Sequence, residues 1–115
     1  MAVIPSSVNA SAAADECCTP TERRLIGEGE AAGHATTFRA LADPTRVQIV
    51  RLLAEVAELC VCDINANFAL EASTMSHHLK VLREAGLISS EKRGLWVFYR
   101  LRPRALDTIR EFATN

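Results

Sequence analysis

Residues 73–101 read STMSHHLKVLREAGLISSEKRGLWVFYRL, and in this stretch the hydrophobic pattern changes character at one glycine. Before Gly86, the residues Leu79, Val81, Leu82 and Ala85 give a helix its buried side. Ser73 or Thr74 is placed to cap that helix, and Gly86 supplies the left-handed residue that stops it. Beyond it, Leu87-Ile88 leads through Ser89-Ser90-Glu91-Lys92 to Arg93-Gly94, and the chain returns as Leu95-Trp96-Val97-Phe98-Tyr99-Arg100-Leu101. A return strand of β-branched and aromatic residues with glycine at the turn is a β-hairpin.

Working outward, residues 61–68 predict a short helix and 69–72 a break, so two helices joined by a tight turn precede the hairpin. Asp43-Pro44 marks a helix start, with Asp43 as N-cap and Pro44 as the first helical residue. Val47, Ile49, Val50, Leu52, Leu53 and Val56 then form the wide apolar stripe expected of a central helix. Further upstream a helical stretch is expected from Thr21, interrupted by Gly27, Gly29 and Gly33 and resuming at Ala35 with Phe38, Leu41 and Ala42. Downstream, Pro103 opens a last helix with Leu106, Ile109 and Phe112 on one face. The order is that of a winged helix-turn-helix, mainly α with a small β-hairpin, over residues 20–115. Residues 1–19, rich in alanine and serine, read as a flexible arm.

A chain of 115 residues allows one such domain plus the arm. No apolar run reaches the roughly 18 residues of a membrane span, so no membrane partner is expected. The stretch Met1–Ala14 has neither a basic residue nor an apolar segment of the signal-peptide kind, which makes a cytoplasmic, reducing setting the expectation.

The net charge of −1 conceals an uneven distribution. Residues 1–72 carry five basic and ten acidic side chains, whereas residues 73–115 carry eight basic and four acidic. A phosphate backbone responds to the local patch and not to the total. On the second helix of the motif, Ser73, Thr74, Ser76 and His77 suit hydrogen bonds to base edges in a major groove. Lys80 and Arg83 suit phosphates, as do Lys92 and Arg93 at the hairpin tip, with Arg100 and Arg102 extending the field. Any one of these charges alone reads as a solvated surface residue; the grouping is what points to DNA. His77 and His78 diverge by about 100° on a helix and do not share an ion, so His78 is assigned to packing or capping.

Four cysteines remain: Cys17 and Cys18 in the arm, Cys60 and Cys62 at the entry to the helix-turn-helix. In a reducing setting metal or redox chemistry outranks structural disulfides. A helix N-terminus favours thiolates, so Cys60 and Cys62 are expected to ionise more readily than free cysteine. Soft sulfur donors select thiophilic ions such as Cd(II), Pb(II), Zn(II) or As(III). Two residues apart on a helix, side chains point about 200° apart. Cys60 and Cys62 therefore face one ion only if the helix begins at or after Cys60. Four thiolates suit tetrahedral Cd(II) or Zn(II); three suit pyramidal As(III) or Pb(II). A thiol redox switch is the competing regulatory reading. Enzymatic thiol chemistry is disfavoured, because the chain has no C-x-x-C, no βαβ frame and no acid-base set grouped with a nucleophile.

Three segments together, Leu41-Ala-Asp-Pro-Thr-Arg46, Glu58-Leu-Cys-Val-Cys-Asp63 and Ser76-His-His-Leu-Lys80 with Leu82-Arg-Glu-Ala-Gly-Leu87, resemble the ArsR/SmtB family of bacterial metal-sensing repressors. The resemblance covers residues 35–110 and implies a homodimer that binds operator DNA without metal and leaves it when metal binds. The Glu58–Asp63 segment is similar to the metal site of the family's cadmium and lead sensors, which carries Cys60 and Cys62 over as ligands and makes Cys17 and Cys18 the arm ligands. The vicinal arm pair is also similar to certain sensors of arsenite, so As(III) or Sb(III) stands as the alternative effector. The family's second, zinc-type site needs histidine on the last helix, and Asp107–Glu111 contains none. The first and last helices, with Phe38, Leu106, Ile109 and Phe112, are the expected dimer surface.

Overall fold

The structure, a computed structural model, describes residues 24–113. Helix α1 spans Glu28–Ala40, α2 Pro44–Glu55, α3 Val61–Ala66, α4 Ala72–Glu84 and α5 Asp107–Ala113. Strands β1 (Leu59–Cys60), β2 (Ile88–Arg93) and β3 (Trp96–Leu101) form one antiparallel sheet in the order β1-β3-β2. This is the winged helix-turn-helix that the apolar pattern predicts.

Helix α1 departs from expectation at its glycines. It starts after Gly27 and runs through Gly29 and Gly33 without a break, while the start expected at Thr21 and the arm lie outside the described residues. A glycine inside an exposed helix costs only about 1 kcal/mol relative to alanine, too little to end it. Helix α2 starts as read: Asp43 Oδ2 accepts from the amides of Thr45 (2.9 Å) and Arg46 (3.2 Å), and Pro44 opens the first turn. Its apolar stripe is narrower than expected. Ile49, Val50 and Leu53 are buried, but Val47 is exposed and Val56 sits exposed beyond the helix end.

Arg46 binds the three helices around this start. Its Nε donates to the Ala40 carbonyl at the end of α1 (2.6 Å), and its Nη1 lies 3.2 Å from Nδ1 of His78 on α4. An arginine donates only, so in this contact Nδ1 is the acceptor. His78 is buried and faces Asp43 at 3.9 Å, which bears out its assignment to packing. Burial, the largest single influence on the Asp43 carboxyl, raises its pKa. The Arg46 amide, His78 and the Thr45 amide together outweigh it and hold the group below its ordinary value.

Helix α4 has no side-chain cap. Glu71 is the boundary residue, and Ser73 and Thr74, expected as caps, lie inside the first turn. At the other end Gly86 (φ +82°) closes the helix as read: its amide bonds to Arg83 O and that of Leu87 to Leu82 O, both at 3.0 Å. These are the paired bonds of a Schellman stop. Met75, His78, Leu79 and Leu82 form the buried face of α4. Met75, Leu79 and Leu82 join Ile49, Leu53, Ile64, Leu87, Ile88 and Tyr99 in the core. Helix α3 is two residues shorter than expected, closing in a turn where the Phe68 amide bonds to Asn65 O. The last helix begins at Asp107 and not at Pro103. Residues 103–106 form a turn that buries Ala105, and the Arg104 guanidinium bonds to Asp107.

Two substitutions test this account by urea denaturation. Gly33→Ala, where an added Cβ meets nothing within 4 Å, should raise stability by about 0.5–1 kcal/mol. Arg46→Met should lower it by about 1–3 kcal/mol, because the Ala40 carbonyl and His78 lose their donor.

Candidate metal centre and nucleic-acid interface

The thiol pair sits where a strand becomes a helix. Cys60 ends β1 and occupies the N-cap position of α3, so the helix begins one residue after it. This meets the geometric condition for Cys60 and Cys62 to face one ion. Their sulfurs are 2.9 Å apart, with Cys60 buried and Cys62 exposed. Two sulfurs about 2.3 Å from a tetrahedral ion are about 3.8 Å apart, so the pair accepts such an ion by opening roughly 1 Å. Both donors are soft and already on one side, and the fit is good. Among the described residues no set of three or more His, Cys, Asp or Glu forms a metal cluster; Cys17 and Cys18 lie outside them.

The expectation of easier ionisation fails at Cys62. Its hydrogen bond with Cys60 pushes the thiol pKa up, burial adds to this, and the nearby Asp63 charge works in the same direction. The six-residue α3 offers only a weak counter-effect through its first amides.

The strand β1 was not legible as a strand, and it joins the thiols to the hairpin. Leu59 pairs with Tyr99 and Cys60 with Phe98. Leu59 packs against the core and Tyr99 is part of it, so Cys60 and Phe98 share the opposite sheet face. On that face Glu58 gathers two cations that the hairpin supplies. Its Oε1 accepts from Arg93 Nη2 (3.0 Å) and Arg100 Nη2 (2.8 Å), and its Oε2 from Arg93 Nη1. Arg93 also bonds to Glu91 (2.8 Å) and lies 4.5 Å from the centre of the Phe98 ring. The hydrogen bonds from Arg93, then those from Arg100, draw the Glu58 pKa from 4.5 down to about 2. The sequence marks Glu58 as the start of a motif but gives no signal for its ion pairs, since the partners are 35 and 42 residues away.

The DNA-facing candidates on α4 share one side. Ser73, Thr74, Ser76, His77, Lys80 and Arg83 are all exposed, opposite the buried Met75, His78, Leu79 and Leu82. At the hairpin, Lys92 is exposed and points to the face opposite Arg93. Lys80, Arg83 and Lys92 form no ion pair among the described residues, whereas Arg93 is engaged by Glu58 and Glu91.

Residues 43–90, from the α2 cap to the middle of β2, match the family described as bacterial regulatory protein, arsR family. A solved structure of a possible transcriptional regulator for arsenical resistance is 38% identical with a TM-score of 0.62, covering 67% of this chain and 79% of that one. The chain belongs to the ArsR family. ArsR-family proteins are DNA-binding transcriptional regulators and not enzymes. The arsenical resistance operon repressor of Escherichia coli is 50% identical over 66 residues, 57% of this chain and 56% of the relative. A cadmium resistance regulatory protein CadC homolog of Staphylococcus aureus is 42% identical over 67 residues, 58% and 55% of the two chains. The chain thus spans little more than half the length of these two relatives. No helix among the described residues is long and apolar enough to cross a membrane.

The Glu58 contacts define a pH dependence. A carboxylate whose pKa is depressed on folding stabilises the fold above its unfolded value and loses that effect as pH falls through the folded one. The ion pairs should therefore persist at pH 3.5, with loosening of the hairpin confined to the range from about 4.5 down to about 2. Carbon NMR of the Glu58 carboxyl checks this; a midpoint near 4.5 contradicts it.

Proposed function

We propose that the chain is a metal-responsive repressor that binds operator DNA as a metal-free homodimer and leaves it when a thiophilic ion binds Cys60 and Cys62. The observation that carries this reading is the thiol pair, its sulfurs 2.9 Å apart where a strand hydrogen-bonded to the hairpin becomes a helix. Cys17 and Cys18 of the arm would complete the ligand set. Ser73, Thr74, Ser76 and His77 would meet base edges, and Lys80, Arg83 and Lys92 phosphates, with Arg93 joining them when its carboxylates release it. The bound ion supplies a differential affinity between DNA-competent and released states. A coupling of about 1–3 kcal/mol, ordinary for allostery, gives 5–150-fold release.

Dimerisation is supported by the uncovered apolar surface of α1 and α5. Phe112 is 59% exposed and stacks edge-on against Phe38 (5.3 Å) and His34 (5.6 Å). Beside it Leu41, Val47, Val50, Leu106 and Ile109 line an open apolar groove of about 210 Å³. A second copy suits this surface, since a palindromic operator needs two.

Cd(II) and Pb(II), with Zn(II) beside them, are the first reading of the effector, and the S. aureus relative is named for cadmium resistance. As(III) or Sb(III) is the second reading, favoured by the E. coli relative named for arsenical resistance and by the vicinal arm thiols. Titrating each ion against the chain, with ultraviolet thiolate-to-metal absorbance and DNA release read together, identifies the effector. Cys60→Ser should abolish ion-driven release and leave metal-free DNA binding intact; normal release by this variant overturns the ligand assignment. Release driven by oxidant in metal-free buffer and reversed by reductant would establish a redox switch instead.

A further inference from the structure

We propose that Glu58 is a positioning residue that ties the hairpin's arginines to the thiol-bearing strand, so that displacement of Cys60 moves the cations that DNA meets. The proposal rests on the metal-sensing reading above and deepens it. Backbone pairing alone links β1 to the hairpin through two residues, Leu59 and Cys60. Glu58 adds a side-chain link to both hairpin strands: Arg93 from β2 and Arg100 from β3 converge on one carboxylate. Arg93 stacks on Phe98, and Phe98 pairs with Cys60, which closes a ring of contacts back to the sulfur. The Glu58 side chain is 24% exposed, well shielded for a surface carboxylate, so its pairs with two arginines are screened less than ordinary surface ones.

The electrostatic consequence is specific. Glu58 and Glu91 balance Arg93 and Arg100, so this face of the hairpin is neutral while the clamp holds. An arginine held this way follows β1. An arginine released from it is a mobile phosphate ligand whose position no longer depends on Cys60. On this proposal, opening the sulfur pair to admit an ion moves Cys60 and, two residues before it, Glu58, to which both arginines are tied.

The test uses the full chain, wild type and Glu58→Gln, with Cd(II) alone as probe and operator DNA affinity measured with and without it. The wild type should lose DNA affinity 5–150-fold on Cd(II) binding, and Glu58→Gln should retain its thiolate-to-metal absorbance with the loss reduced to about twofold. Two freed arginines should also steepen the slope of log affinity against log salt, by up to about 0.9 for each new phosphate contact. That is a readout a merely structural role does not move. Arg100→Gln opens the clamp from the other side and should weaken the Cd(II) response without steepening the slope. Wild-type release by Glu58→Gln overturns the proposal. Loss of its absorbance band overturns it too, by making Glu58 a support of the ligands. A wild type that shows neither band nor release overturns the metal-sensing reading itself, and the proposal with it.

Discussion

Leu59 and Cys60 lie hydrogen-bonded against Tyr99 and Phe98, and the functional geometry of the chain depends on this two-residue pairing. It puts a nucleophilic sulfur on the sheet that carries the hairpin, instead of on an isolated helix. It also starts α3 after Cys60, which is what brings Cys62 to the same side as its partner thiol. If β1 were absent and the helix extended back through residue 60, the two side chains would point about 200° apart and bind separate partners. A strand this short has little stability of its own. Its neighbours hold it: Leu59 packs against the core, and Glu58 takes two arginines from the hairpin.

The other half of the molecule depends on Arg46. Three helices of modest length leave their ends to be satisfied, and one guanidinium serves the end of α1 and the buried ring on α4 at once. The contact to His78 sits on the same turn of helix as His77, so the buried neighbour sets the direction in which the exposed one points. Placement of the α4 surface is therefore a consequence of the Asp43-Pro44-Thr45-Arg46 turn, whose carboxylate caps α2 and faces the same histidine. Caps and short polar ties of this kind contribute about 1 kcal/mol each to stability. Their effect on orientation is larger than that number conveys, because a functional side chain must be placed to within a fraction of an ångström.

What was legible in the chain was whatever local chemistry decides. Asp43-Pro44 and Gly86 announce their roles because a cap, a fixed φ and a left-handed residue need particular side chains at particular places. The hairpin was legible from the β-branched and aromatic residues of its return strand and from Gly94, whose φ is +63°. Three readings went astray because weak local preferences met tertiary context. Gly29 and Gly33 were given more power to break a helix than glycine has. Ser73 and Thr74 are good caps, but Met75 has to reach the core, and this draws the helix start back to Ala72. Pro103 is a good first helical residue, yet burial of Ala105 holds residues 103–106 in a turn. In the site, the thiols and the α4 surface were readable from composition and spacing. The Glu58 ion pairs and the thiol pKa were not, because both follow from contacts that only the sheet register creates.

The charge pattern acquires its meaning from the same register. Counted along the chain, residues 73–115 hold eight basic side chains, a surplus over their four acidic ones. Four of the eight are held in ion pairs: Arg93 and Arg100 face Glu58 and Glu91, and Arg104 and Arg110 face Asp107. Lys80, Arg83 and Lys92 stand outside these pairs, on the exposed side of α4 and at the hairpin tip. Arg102 is likewise exposed and forms no ion pair among the described residues, and Lys80 and Arg83 lie on the surface that carries Ser73, Ser76 and His77. Because Glu58 belongs to the acidic half of the chain, its reach across the sheet lets residues 1–72 neutralise charge that the count along the chain assigns to the basic half.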